Sequence, residues 1–531
     1  LIPATLPVAA QAPSPQQPLP QDPGQELKIG VVQRFGEMPK DTLTISALPG
    51  DQLTVRFQTD GQPQTVKLPS LKLETSMQPL AQPRVDERVI FSEHRSFETA
   101  EEKARQWQDQ GIAIEVAQPG RWQVWAQRSV YKTPLVRRLL LQSLKQKGIQ
   151  NVRLESKTLT QVPRVSFVVG HFRYVRDRLD ITSGKGAFQV DRDKDNYPKH
   201  TYPGTLRLQP NAYGTTTLVN MVPLETYLRG VVPYEIGQGA PFQAMAAQAI
   251  LARTYVLRNT RRFTVDDYQL CATTQCQVYY GLDGTTPATD RAIALTQGQV
   301  LTYDNELVDA LYSSTTGGVT AAFTDVWRGA DRPYLRVQLD AVSTVWNLGQ
   351  QPLSEEQHFR NFLNLNKGFN ESEISNWFRW KNEASLKAMN EELRQYLKSI
   401  QHPLANFKTI RNVQVMQRSA GGRVAKLGMA TDLGNLVLER DEILLALEAP
   451  NSLLFYVDPV FKTDDSGKPL QGFRFTGGGL GHAVGLSQYG SYHLAKLGWN
   501  YDRILQFYFP GTQLQPVNAK IVAYRAPRSS Q

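Results

Sequence analysis

Val222-Pro223-Leu224-Glu225-Thr226-Tyr227-Leu228-Arg229-Gly230-Val231-Val232-Pro233-Tyr234-Glu235-Ile236, with the alanine-rich run from Gln243 to Arg258 behind it, decides how this chain is read. The run is built from strong helix formers. So many small side chains let a helix pack closely against its neighbours. Glu235 stands among apolar residues just before that helix. Desolvation of a carboxyl in such company penalises its charged form and raises its pKa, as a general acid near neutral pH requires. A carboxylate that only complements the positive end of the helix would look the same, and both readings stay open at this stage. Arg253, inside the helix, reads first as one half of a buried ion pair and is also carried as a substrate-binding candidate.

Working outward, the rhythm changes several times. Residues 1–26 read as the tail of an export signal, with Ala10-Gln11-Ala12 fitting a cleavage site, followed by a flexible Pro/Gln-rich leader. Residues 27–85 read as a small β-rich unit, with turns at Pro49-Gly50-Asp51 and Asp60-Gly61. Residues 86–160 read β-α-β-β-α-β: strands around Arg88–Phe91, Ile112–Val116, Trp122–Ala126 and Val152–Leu154, and helices over Phe97–Gln110 and Pro134–Lys147. From 161 to 525 mixed strands and Gly-rich turns surround the alanine-rich helix. A helical insert is expected over 352–408, with capping boxes at Ser354–Gln357 and Asn370–Glu373 and one amphipathic helix from Trp377 to Lys398. The expected class is therefore α+β and multi-domain: mixed sheets, a buried alanine-rich helix in the core, and a helical insert.

Composition narrows the function. With 531 residues, 41% hydrophobic and 20% charged, the chain is an ordinary globular one of several domains. No apolar run reaches the roughly 18 residues of a membrane span, so no transmembrane segment is expected. The net charge of +10 favours polyanionic partners. Zinc-finger, phosphate-loop and RNA-recognition signatures are all missing, so nucleic acid is not the expected partner.

Two further stretches attract attention. Leu311-Tyr312-Ser313-Ser314-Thr315-Thr316-Gly317-Gly318 sends a strand into hydroxyls and then a double glycine, where backbone can approach a ligand. A plain turn has the same composition. Gly477-Gly478-Gly479-Leu480-Gly481-His482 through Ser487-Gln488-Tyr489-Gly490 crowds glycines around a single histidine and leads into a helix. That pattern suits a site loop with His482, Ser487 and Gln488, or a Gly-rich turn around a packed His. No nucleophile elbow accompanies His482, which argues against a serine hydrolase.

Val222–Glu235, the helix to Arg258, Cys271–Gly281, Ser314–Gly318, Val326-Trp327 with Pro333-Tyr334-Leu335, and Gly481–Gly490 follow one another as they do in the SpoIID/LytB (stage II sporulation protein D) family. The resemblance runs over about 205–515, and with its N-terminal extension the chain is most similar to cyanobacterial members. In length and order, 86–160 resembles the sporulation-related repeat (SPOR) domain, which in its family binds peptide-stripped glycan.

The resemblance implies a lytic transglycosylase acting on peptide-stripped peptidoglycan strands, with the catalytic acid at Glu235. From the stretches above, Arg253, Ser314, Gly317, Gly318, His482, Ser487 and Gln488 are the candidates for binding the substrate. The resemblance also puts a zinc-associated stretch on Cys271 to Cys276. Here Gln275 stands in place of a histidine and is a poor zinc ligand, so no cofactor is expected; zinc or a disulfide at these cysteines both stay open. The LytB branch implies a second reading, a non-catalytic glycan-binding enhancer of a wall amidase. A third is a scaffold held to the wall through 86–156. Either compartment implied is secreted or periplasmic.

Overall fold

The computed structural model describes residues 16–18, 26–38, 40–193, 197–373, 375–462 and 469–525. The signal remnant and most of the leader expected over 1–26 lie outside the described residues.

Two sheets form the N-terminal body. The first has seven strands in the order Leu270–Cys271, Glu26–Phe35, Thr216–Pro223, Thr205–Pro210, Leu179–Ser183, Leu53–Thr59 and Gln62–Leu68. The second runs from Phe172–Val175 through Arg153–Val169, Ser70–His94, Thr42–Ala47 and Ala187–Asp191 to His200–Pro203. Alternation along these strands puts Leu43, Ile45, Leu53, Val55, Leu71, Leu73, Ile181 and Leu206 inward, and both sheets share one core. This corrects the expected division at 160/161. Strands from 27–85 and from 161–223 interleave in both sheets, because neither set has enough inward residues to bury a core alone.

Ser70–His94 and Arg153–Val169 are long enough to leave this body and found a second one. Past residue 84 they carry Trp122–Ala126 and Ile114–Ala117 beside them, with helices Phe97–Gln108 and Pro134–Gln146 between strands. The elements thus run β-α-β-β-α-β. The sheet order is fourth, first, third, second, all antiparallel. Phe97, Trp122, Val124 and Leu144 form a core of its own that also takes in Phe263 and Tyr268 of the following region.

The alanine-rich helix, Phe242–Asn259, is buried at every residue from Ala244 onward. It has no wet face because protein surrounds it. Arg253 sits within it with no exposed surface. Its guanidinium donates to both Glu225 oxygens at 2.7 Å and to the Gln299 carbonyl at 3.1 Å. The arginine thereby ties helix Leu224–Arg229 and strand Gln299–Tyr303 to the central helix.

The insert is larger and less helical than expected. Helices Glu356–Leu363 and Leu386–Ser399 are joined by a strand, Arg379–Ser385, that pairs with Leu470–Gly478; Phe455–Phe461 completes that sheet. Ile410–Arg418, Val424–Thr431 and Asn435–Glu439 make a further small sheet. The continuous helix expected from Trp377 to Lys398 is interrupted because Ser385 caps a new helix, accepting from Ala388 N–H. Leu386, Met389, Leu393 and Leu397 do keep the helical spacing. Neither expected capping box forms. Glu355 precedes its helix without a side-chain cap, and Asn370 and Glu371 are buried polar groups instead.

Candidate active site

Glu235 closes a one-turn helix, Val232–Glu235, pinned by the buried Val231, Val232 and Ile236. Its backbone carbonyl accepts from Gln488 Nε2 at 2.7 Å. The carboxyl faces a cleft of about 660 Å³. Burial pushes its pKa up to about 7, against the opposing pull of the Val278 N–H, the Tyr312 hydroxyl and the Gln488 amide. The Val278 N–H donates to Oε1 at 2.6 Å. The Tyr312 hydroxyl is itself held by Gln277 Nε2 at 3.2 Å. This is a proton-bearing carboxyl, fixed in direction and open to a cleft.

The cleft is assembled from three parts of the chain. The core supplies Glu235, Tyr312, Ser314, His482 and Gln488. The corner between Ser70–His94 and helix Phe97–Gln108 supplies Arg95 and Glu98. The region after 321 supplies Trp327 and Asp441. The corner is locked in place. Glu98 pairs with the buried Arg262, Glu101 takes Arg261 at 2.5 Å, and Ser96 Oγ donates to Asp441 Oδ2 at 3.1 Å. Burial raises Asp441 to about 6, with Ser96 and Arg95 opposing.

Of the residues singled out in the sequence, Glu235, Ser314, His482 and Gln488 meet at this cleft. His482 offers its ring rather than its nitrogens. Nδ1 accepts from the Val484 N–H at 3.0 Å, the Tyr312 carbonyl takes the other nitrogen, and the ring lies 5.0 Å from that of Trp327. Burial lowers its pKa to about 4, so it is neutral at pH 7.

Arg253, Ser487, Gly317 and Gly318 lie elsewhere, a correction to the expected substrate set. Arg253 is spent on Glu225. Ser487 is fully buried; it donates to Glu371 and caps helix Gln488–Lys496. Gly317, at φ +73°, donates its N–H to Glu371 at 2.9 Å, and a Cβ there would meet the Gly478 backbone at 2.7 Å. The double glycine therefore admits protein, not ligand.

Cys271 and Cys276 are joined as a disulfide. Gln275 Oε1 accepts from Trp122 Nε1 at 3.2 Å. Among the described residues no three His, Cys, Asp or Glu side chains come together as a metal site. With its thiols oxidised and an amide at 275, this stretch does not fit a zinc ion.

Residues 212–303, which carry Glu235, the alanine-rich helix and the disulfide, match the family profile described as "Stage II sporulation protein" (SpoIID). The chain carries a SpoIID domain. Residues 321–485 match a second profile, a domain of unknown function (DUF8618), which covers the mixed insert and Trp327 and Asp441 of the cleft. Three relatives extend the SpoIID likeness. The "Amidase enhancer" of Bacillus subtilis is 29% identical over 59% of this chain and 47% of its own length. The stage II sporulation protein D of B. subtilis is 25% identical over 58% of this chain and 79% of its own. That of Bacillus amyloliquefaciens is 24% identical over 66% and 93%. The chain thus spans about half the length of the amidase enhancer it matches.

Three groups that complete the cleft carry no signal in the sequence. Tyr312 lies one place from the buried Ser313, but nothing local tells that its hydroxyl reaches Glu235. Arg95 and Asp441 come from regions with no motif.

Proposed function

We propose that this protein cuts peptidoglycan glycan strands as a lytic transglycosylase. The observation that carries the reading is Glu235: one carboxyl with a pKa raised to about 7, aimed into a cleft of about 660 Å³. Glu235 donates its proton to the oxygen between N-acetylmuramic acid and N-acetylglucosamine as that bond breaks. The sugar's own C6 hydroxyl then attacks the oxocarbenium-like carbon and returns a proton to Glu235, leaving a 1,6-anhydro end. An internal nucleophile lets one carboxyl do the work that two share in ordinary glycosidases. Of the other carboxyls on the cleft, Glu98 is committed to Arg262, Asp441 accepts from Ser96, and Glu448 is exposed to solvent. The Val278 N–H and Tyr312 hydroxyl stabilise the carboxylate that forms between the two steps.

The substrate class, peptide-stripped glycan, and a secreted or periplasmic location belong to the same proposal. No helix among the described residues is long and apolar enough to cross a membrane, and a disulfide suits an oxidising compartment. The name of the 29%-identical relative favours a second reading, a glycan-binding enhancer of a wall amidase. In that case the β-α-β-β-α-β module, SPOR-like in its element order, shares in holding glycan.

Digestion of purified peptide-free strands with wild type and Glu235→Gln, read by mass spectrometry, separates the two. Anhydro ends from wild type alone support the enzyme. Binding by both proteins with no anhydro product from either replaces it with the enhancer reading.

A further inference from the structure

We infer that Arg95 is an anion-recognition residue of the cleft, lent by the N-terminal module to take a carboxylate of the bound glycan. The inference rests on the glycan reading above and deepens it.

Two arginines line the cleft, and they differ. Arg262 is buried and paired with Glu98. Arg95 has no ion pair or hydrogen bond among the described residues; its side chain stays open to solvent within the cleft. Asp441 is near enough to act on it through space but is engaged by Ser96. Glu448 is a further acidic group on the lining. The protein packed around Arg95 lowers its proton affinity and Asp441 offsets that only in part, which leaves room for a second counter-charge. A ligand carboxylate supplies that charge, and the planar fork of arginine suits it with two parallel hydrogen bonds.

The placement is built rather than incidental. The next residue, Ser96, caps helix Phe97–Gln108 and binds Asp441, and Phe97 packs edge-on to Trp122 at 5.0 Å. Arg95 therefore starts from a backbone fixed on both sides of the cleft. It costs little additional ordering when a ligand arrives.

Muramic acid stripped of peptide carries a free lactyl carboxylate, and its methyl ester does not. Calorimetric titration of the full chain in a Glu235→Gln background, which holds glycan uncut, compares oligomers of the two forms. The background protein is expected to bind the acid about ten-fold more tightly than the ester, Arg95→Gln to erase that preference, and Arg95→Lys to keep part of it, with melting temperatures unchanged. An acid-to-ester ratio unaltered by Arg95→Gln overturns the role of Arg95 while leaving glycan binding intact. Failure of the background protein to bind either form overturns the glycan reading itself, and this inference with it.

Discussion

The Val278 N–H that meets Glu235 Oε1 at 2.6 Å lies two residues beyond Cys276. Cys276 is bonded to Cys271, which in turn pairs with Gly30 of strand Glu26–Phe35 in the seven-stranded sheet. The acid is thus positioned by a loop stapled to a sheet edge, and its proton affinity reflects two opposed influences. Burial raises it. A hydrogen bond aimed by the disulfide loop lowers it.

The first consequence is a pH dependence with a definite sign. Glu235 titrates at about 7 in the folded protein against an ordinary 4.5. Between those values the folded state holds more protons than the unfolded one, so stability falls as pH rises through the window. The loss is complete above 7 and amounts to about 3 kcal/mol. Glu235→Gln should therefore match wild type at pH 4 and exceed it by up to that amount at pH 8, as read by urea unfolding at both pH values. Cutting of glycan should decline above pH 7 in wild type and fall at least ~100-fold in the variant.

Reduction of the disulfide should act on the same acid at a distance. Opening so short a loop costs about 2 kcal/mol of stability in the chain-entropy account. A freer Val278 N–H also loses its hold on the carboxylate. Cys276→Ser is expected to move the alkaline limb of the glycan-cutting profile to higher pH and to lower the maximal rate. A profile displaced only in height would place the disulfide in folding alone.

The Glu98–Arg262 pair joins the N-terminal module to the core. Arg262 is 4% exposed, so removing its partner strands a buried charge at a cost of about 3–5 kcal/mol. Glu98→Ala should lower the melting temperature and, by loosening the corner that carries Arg95, weaken glycan binding more than Glu102→Ala. Glu102 lies one turn further along the same helix, paired with Arg105 at 2.7 Å.

How far the residues alone lead depends on how local their instructions are. The alanine-rich helix was legible over Gln243–Arg258 and extends one residue further at each end, because composition and a preceding proline are local signals. Helix Pro134–Gln146 declared itself by Pro at its start and Gly after its end. The apolar flanks of Glu235 leave a raised-pKa carboxyl and a plain helix-end carboxylate both open, and burial in the fold is what raises its proton affinity. The interleaving of strands before 85 with those after 161 was not legible, since strand pairing leaves no trace of its partner's identity in a period of two. The insert misled for a similar reason: Arg379–Ser385 is a polar, helix-compatible string that becomes a strand only because Leu470–Gly478 lies beside it. Arg253 reads from the sequence first as half of a buried ion pair, and of these two only Ser487 reads as a site-loop residue. Their partners, Glu225 and Glu371, turn both inward.

Glu371 carries the last prediction, because its role is structural and so has the opposite signature. Its carboxyl accepts from the Thr316 and Gly317 N–H groups and from the Ser487 hydroxyl. Through Thr316 Oγ1, 2.9 Å away, it adjoins Asp340, whose pKa burial and Glu371 itself push well above the usual carboxylate range. Both Glu371 oxygens face backbone N–H donors. An amide in its place must oppose one of them with its own NH2, leaving a buried donor unpaired at about 1–3 kcal/mol. Glu371→Gln should lower the urea midpoint accordingly. Gly317→Ala should do at least as much, since its φ of +73° and the 2.7 Å approach to Gly478 both oppose a Cβ. The Glu235 pH profile should stay in place in both variants when assayed below their melting temperatures. A change in that profile would mean that the double glycine and Glu371 reach the cleft chemistry after all, and would restore Gly317 to the substrate site from which its contacts remove it.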